Sequence, residues 1–401
     1  MDGRILLVSG LRYPEGDAGS VRLHAFAKAF FELGHPAIVV GLGKETEDFQ
    51  EYDNVTYCSM SHESSHSYPS KLNRVFLTRR LARLIGGIDD LVGIVAFSGL
   101  LPNELCFLKR VAKKKGILFA FDDVEYYSPA EFSTGRLNFS YLCNSWIQKR
   151  FLRKGMSAIA ISTFLERYLI DRGVKVKRIP AIMNVQSMKP ALCPSNSSNR
   201  KTVFVYAGSP GKKDYLSSIV KAFSSLDDRF SSRYELHLVG LDREQLIDEC
   251  GANPEDVCCI DADLICHGRV SRDEVMRIVS EADFSVLVRP IMRYSKAGFP
   301  TKFVESFALG TPVISNLTSD LKMYLKDEEN GFIADGCDEE SVRIALQKAF
   351  EKDYLSLKKM RISARKTAEE CFDYRIYTKE IHDLLCRETN DNASADLSRI
   401  R

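Results

Sequence analysis

The sequence contains no run approaching the roughly 18 uninterrupted apolar residues of a membrane-spanning helix. It also lacks any excess of charge: 56 Lys and Arg stand against 54 Asp and Glu, a net of +2. No whole-chain field therefore argues for nucleic acid, and an anionic partner must be met by a local patch. There is no CxxC pair, and the nearest cluster, Cys258, Cys259, Cys266 and His267, lacks the spacing of a structural zinc site. The eleven cysteines are odd in number and irregularly spaced, and no signal peptide stands ahead of the strand-like run Arg4 to Val8. Reduced thiols and a cytoplasmic location are the expectation.

What is present is ordinary globular material, 45% hydrophobic and 27% charged, in 401 residues. That length exceeds what one core sustains and predicts two domains. Strand-length apolar runs alternate with longer amphipathic stretches: Arg4 to Ser9, Ala37 to Leu42, Asn54 to Ser59, Val92 to Phe97, Ile117 to Phe121 and Ser157 to Ile161. Alternation of this kind predicts an α/β fold built on a doubly wound parallel sheet. Ser20 to Leu33 has helical periodicity and closes at Gly34.

Asn184 to Lys201, rich in Pro, Ser and Asn, reads as a linker between domains 1–183 and 202–373. The second strand series is Thr202 to Ala207, Tyr234 to Val239, Leu264 to His267, Asp283 to Val288, Pro312 to Ser315 and Gly331 to Ala334. Both domains read as Rossmann-like, with ligands expected at the carboxyl ends of the strands in a cleft between them. An amphipathic helix over about 374–390 would complete the first domain, ahead of a polar tail, 391–401.

The most informative segment runs from Arg289 to Ser315 and includes Ala297 to Glu305, AGFPTKFVE. Pro300 suits a first helical turn, and the helix would stop at Gly310. Amides near Phe299, Thr301 and Lys302 would face the strand ends, where helix dipole and lysine charge together favour a diphosphate. Glu305, one turn deeper on the same face, can accept both hydroxyls of a ribose. The competing reading is a plain surface pair between Lys302 and Glu305.

This segment resembles the retaining GT-B glycosyltransferases of the large group 1 family, whose signature is Glu-(x)7-Glu before a G-x-P-V-I strand. Glu305 matches the second glutamate and Gly310 to Ile314 the strand, whereas Ala297 stands where the first glutamate would be. The resemblance extends to Val203 to Phe223, VFVYAGSPGKKDYLSSIVKAF, where it places Gly208, Ser209, Lys212 and Lys213 around the donor diphosphate, with Ser209 replacing a common arginine. It covers Cys266 to Pro290, where Gly268 and Arg269 would bind the base. Arg289 would either reach the phosphates or pair with Glu305 or Asp283.

In the first domain the resemblance covers Pro14 to His35 and puts Gly19 beside the transferred sugar; Arg22 would add charge or lie on a helix surface. Asp123 or Glu125, in FDDVEYYSPAEF, would line the sugar or touch the acceptor, unless they simply cap the next helix. The triplet Asp261-Ala262-Asp263 reads as turn chemistry and no metal is expected.

The resemblance thus implies transfer of a sugar from a nucleoside diphosphate sugar to a lipid-linked or oligosaccharide acceptor in cell-surface polysaccharide or glycoconjugate synthesis. Lys302, Lys213 and Asp123 would do the catalytic work, with no further cofactor. A sugar-nucleotide 2-epimerase and a silent partner subunit are the alternatives. Basic clusters at Arg74 to Arg83, Lys109 to Lys115 and Lys149 to Lys154 add an expected contact with an anionic membrane surface at its inner face.

Overall fold

The computed structural model describes residues 3–14, 16, 18–43, 49–60, 74–191, 200–209 and 213–384; of 74–77 only the backbone is described. Lys212, the tail 391–401 and the end of the final predicted helix lie outside these residues. Two compact units emerge, one of Met1–Met183 with Tyr374–Arg401, the other of Asn184–Asp373. Each is built on a parallel sheet flanked by helices, the α/β class expected from the alternation of apolar runs.

The first unit holds β1 (Arg4–Arg12), β2 (Ala37–Leu42), β3 (Gln50–Tyr52), β4 (Val55–Ser59), β5 (Leu91–Ala96), β6 (Leu118–Asp123), β7 (Ser157–Ala160) and β8 (Lys175–Arg178). Their order is β3-β4-β2-β1-β5-β6-β7-β8, parallel except for the β3–β4 hairpin. Ile5 to Val8 are fully buried, as an apolar run covered by helices on both faces must be. At the switch between β1 and β5 the chain passes itself closely. A Cβ on Gly10 would lie 2.0 Å from the Gly99 carbonyl oxygen, so only glycine fits. Tyr374, Ile381 and Leu384 pack into this unit's core, and residues 378–384 are helical.

The second unit contains β9 (Thr202–Ala207), β10 (Tyr234–Val239), β11 (Leu264–Gly268), β12 (Phe284–Leu287), β13 (Val313–Asn316) and β14 (Gly331–Ala334). The order β11-β10-β9-β12-β13-β14 is the dinucleotide-fold order, with its switch point between β9 and β12. Phe204 centres the core, its ring 5.2 Å from Phe223, 5.7 Å from Phe284 and 5.2 Å from Phe350.

Asn184 to Ser187, within the stretch read as linker, is instead part of the second unit. Val185 is buried, and its N–H and that of Gln186 both donate to Asp373 Oδ2, at 3.1 and 3.4 Å. The described start of that stretch is therefore packed and not an open connection.

Candidate functional site

The β9–β12 switch point is where this fold class places a ligand, and charge converges there. Tyr206, on β9, is buried by the sheet, and its hydroxyl donates to Asp214 Oδ2 at 2.8 Å. Asp214 stands just before the helix Leu216–Ser224 and is itself buried. The Tyr215 N–H donates to the Val288 carbonyl at 2.9 Å, which ties this loop to the end of β12. Arg289 follows that end and donates from Nε to Asp214 Oδ1 at 2.6 Å. Asn316 fixes the Arg289 backbone, accepting from its N–H at 2.9 Å and donating to its carbonyl at 2.7 Å.

Lys302 closes the group. Its Nζ donates to Tyr206 Oη at 2.7 Å and to Asp214 Oδ2, and it stands 4.4 Å from the centre of the Tyr206 ring. Gly208 makes this seat available, since a Cβ there would lie 2.1 Å from Lys302 Nζ. Burial by itself would raise the Asp214 pKa, but the charges of Arg289 and Lys302 win and hold it well below the usual carboxylate range. Burial lowers the Lys302 pKa despite Asp214, and the neighbouring Arg289 adds to that fall.

The helix Thr301–Ala308 carries Lys302 and Glu305, with Pro300 as its N-cap. Thr301 and Lys302 stand in its first turn, where amides have no helical partner. Glu305 accepts from Arg272 Nη2 through Oε1 at 2.8 Å. The surface pair between Lys302 and Glu305 is therefore not formed. Nor does Arg289 pair with Glu305 or Asp283: Asp283 is held by Arg200 and by the Val203 N–H. Phe299 turns its ring inward, 5.7 Å from Tyr324 and 5.8 Å from Phe372, so only its backbone is available to a ligand. A small cavity between Val275, Met276, Lys302 and Glu305 opens beside this group.

Among the other predicted positions, Ser209, Lys213 and Arg269 are exposed, Lys213 directly before the inward-turned Asp214. Gly268 ends β11 at φ +62, a conformation that favours glycine. His267, at the same strand end, hydrogen-bonds His237 at 3.1 Å. Ala297 ends the short helix Arg293–Ala297 and is fully buried. Asp261 to Asp263 form one 3-10 turn, in which Asp261 pairs with Arg243 and Asp263 with Lys201. No group of three or more His, Cys, Asp or Glu among the described residues is arranged to hold a metal.

In the first unit, Gly19 lies in the first turn of the helix Ala18–Glu32. Arg22 is not a surface residue. Its guanidinium meets Asp122 in a two-pronged pair at 2.7 and 2.8 Å and also donates to the carbonyls of Ile179 and Pro180. Asp122 is thus spoken for, and Arg22 is part of the packing. Asp123, at the end of β6, is buried and accepts from Gln148 Nε2 at 2.7 Å, while its Oδ2 has no hydrogen-bond partner. Burial, with the nearby Asp122 and Glu125, drives its pKa well above the carboxylate range. Asp123 does not cap a helix. Gln148, its partner, belongs to the π-helical turn Ile147–Phe151, a form found often at functional sites.

Asp214, Tyr206 and Arg272 went unnoticed in the sequence. The signal for Asp214 was an acid directly after a lysine pair, in the loop that follows the central strand of the second unit.

Residues 193–368 match the model of the family Glycosyl transferases group 1, a match that lies within the second unit. No curated protein matches the chain closely enough to serve as a relative. Among solved structures, sucrose-phosphate synthase from Thermosynechococcus elongatus aligns with a TM-score of 0.74 at 14% identity, over 95% of this chain and 98% of that one. HepE from Anabaena in complex with UDP-glucose gives 0.65 at 15%, over 95% and 99%. WaaG, a glycosyltransferase involved in lipopolysaccharide biosynthesis, gives 0.63 at 14%, over 95% and 99%. At these identities the structures establish the fold, an α/β chain of two parallel-sheet domains of the GT-B kind.

Proposed function

We propose, from the premise that residues 193–368 are a Glycosyl transferases group 1 domain, that this enzyme transfers a sugar from a nucleoside diphosphate sugar to a hydroxyl acceptor. The observation that carries the reading is the meeting of Arg289 and Lys302 at the β9–β12 switch point, beside the first turn of the helix that also bears Glu305. Two cations and a helix N-terminus suit a diphosphate. Arg272 engages only Oε1 of Glu305, which leaves Oε2 to a ribose hydroxyl. Gly268 and Arg269 would meet the base, and Gly208, Ser209, Lys212 and Lys213 the phosphates. Charge growing on the leaving diphosphate would be stabilised by Lys302 and Arg289 as the sugar takes on oxocarbenium character. The complex of HepE with UDP-glucose supports a nucleotide-sugar donor.

Retention at the anomeric carbon rests on the likeness of Glu305 and Gly310 to Ile314 to the retaining signature. A lipid-linked or oligosaccharide acceptor in cell-surface synthesis draws support from WaaG's part in lipopolysaccharide biosynthesis. Asp123, whose burial makes it hold its proton more tightly than an ordinary carboxyl, would hydrogen-bond a sugar hydroxyl.

Peripheral attachment to an anionic membrane has one specific observation in its favour. Leu137, Phe139, Leu142 and Trp146 are exposed on 135–146, and the exposed Lys149, Arg150, Arg153 and Lys154 follow. No acidic residue occurs from 132 to 165. No helix among the described residues is long and apolar enough to cross a membrane. Sedimentation with anionic liposomes at low salt should occur, and indifference to lipid charge would end this part of the proposal.

The donor reading is tested with Lys302→Ala and Glu305→Ala. Both should fold and lose nucleoside diphosphate affinity; unchanged affinity in both would remove the site assignment.

A further inference from the structure

We propose that Asp214 is the positioning residue of the diphosphate site: its two carboxylate oxygens hold Arg289 and Lys302 side by side and charged, with their remaining donors open to an anion. The proposal rests on the donor reading above and adds to it a residue that acts through Arg289 and Lys302 without touching the substrate.

The geometry is specific. Asp214 Oδ1 takes Arg289 by Nε at 2.6 Å, the inner edge of the guanidinium, so the terminal nitrogens are left for another partner. Oδ2 takes Lys302 Nζ and the Tyr206 hydroxyl. Lys302 Nζ has three hydrogens; Asp214 and Tyr206 account for two. Asp214 is buried, whereas the side chains of Arg289 and Lys302 keep 16% and 26% of their exposure, so the cations face outward past their anchor. One carboxylate between two cations leaves a net charge of +1 that an arriving diphosphate can meet. Without it, two like charges would face each other at a partly desolvated site, and the one able to lose its proton would be Lys302.

The charged and titratable groups facing Lys302 are Tyr206 on β9, Asp214 in the loop after it, Arg289 beyond β12, and Glu305 on its own helix. Tyr294 acts on Arg289, and Cys250 acts on Tyr206. Of these, Asp214 is the acid in direct contact with Lys302 Nζ, while Glu305 is engaged by Arg272. Removing the Asp214 charge leaves burial and Arg289 to push the lysine toward its neutral form.

The experiment uses the full chain and the tightest binder among UDP, GDP and ADP, with affinity measured by calorimetry from pH 6 to 10. In Asp214→Asn, which keeps the shape, the alkaline loss of affinity should begin at least one pH unit lower than in the parent. Lys302→Arg in the Asn variant should abolish that loss, because a guanidinium keeps its proton throughout. Asp214→Glu should restore the parent profile. A merely structural role would weaken binding at every pH without moving the midpoint. An unmoved midpoint in Asp214→Asn overturns the proposal and leaves the donor reading standing. Failure of the parent to bind any of the three nucleotides overturns both. Should Asp214→Asn not fold, Lys302→Arg in the parent background decides, since an alkaline limb that persists there also overturns the proposal.

Discussion

Replacing Gly208 by alanine should separate the charge at the switch point from the fold that carries it. An added Cβ would lie 2.1 Å from Lys302 Nζ, 2.3 Å from its Cε and 2.9 Å from Tyr206 Oη. Gly208 has no positive φ, so alanine brings no backbone strain, and the two closest atoms are the far end of a flexible side chain. Lys302 therefore leaves its seat while the sheet stays intact. If the lysine gives a bound diphosphate one charge-assisted hydrogen bond, its loss costs about 1.5–3 kcal/mol. That corresponds to roughly 10- to 150-fold weaker nucleotide binding.

Gly240→Ala is the contrast. Its Cβ would lie 2.5 Å from the Gly208 carbonyl oxygen at φ +98, so it strains backbone and should lower the melting temperature instead. Calorimetric affinity and thermal melting on both variants check the pair. The reasoning fails if Gly208→Ala binds nucleotide like the parent, or if it melts as early as Gly240→Ala.

Further outcomes follow from the first unit. Arg22→Met strands the Asp122 carboxylate in the core, a loss of about 3–5 kcal/mol. Hydrogen exchange in β1 and β6 should report it, and adding Asp122→Asn should recover part of the protection. Asp123→Asn tests the buried neutral acid by linkage. A raised folded-state pKa means the parent loses stability as pH climbs above the unfolded-state value of about 3.9, until the folded-state group titrates. The asparagine variant lacks that loss, so the gap between their melting temperatures, in the variant's favour, should widen from pH 4 to pH 8. A gap constant with pH would show that Asp123 is ionised in the folded protein. The same variant should lose turnover if the acid serves the sugar.

Much of the fold was legible because buried parallel strands must be apolar along their whole length. β2, β9, β10 and β14 coincide with their predicted runs, residue for residue. β3 and β8 were missed for the converse reason. Gln50–Tyr52 is exposed throughout, and Lys175–Arg178 is an edge strand with three basic residues in four. The Asp53-Asn54 turn, at φ 46 and 60, was the available hint of the β3–β4 hairpin.

In the site, the Lys302 and Glu305 positions could be anticipated because a helix start after a strand has few geometries. Their partners could not. Asp214 lies 88 residues from Lys302 and Arg272 33 from Glu305, separations at which only the assembled sheet decides who meets whom. Arg22 was misjudged because charge was weighed ahead of period. It stands four residues before Phe26, on the buried face of its helix.

The second unit begins and ends at one place. Val185 and Gln186 near its start share Asp373 at its close, and in the first unit the Tyr374 N–H meets the Met183 carbonyl at 3.0 Å. Each unit thus brings its own two chain ends together, as an inserted domain does. In engineering terms residues 184–373 are a cassette. A short tether would span Met183 and Tyr374, and expression of 184–373 alone would test whether nucleotide binding is carried by that unit by itself.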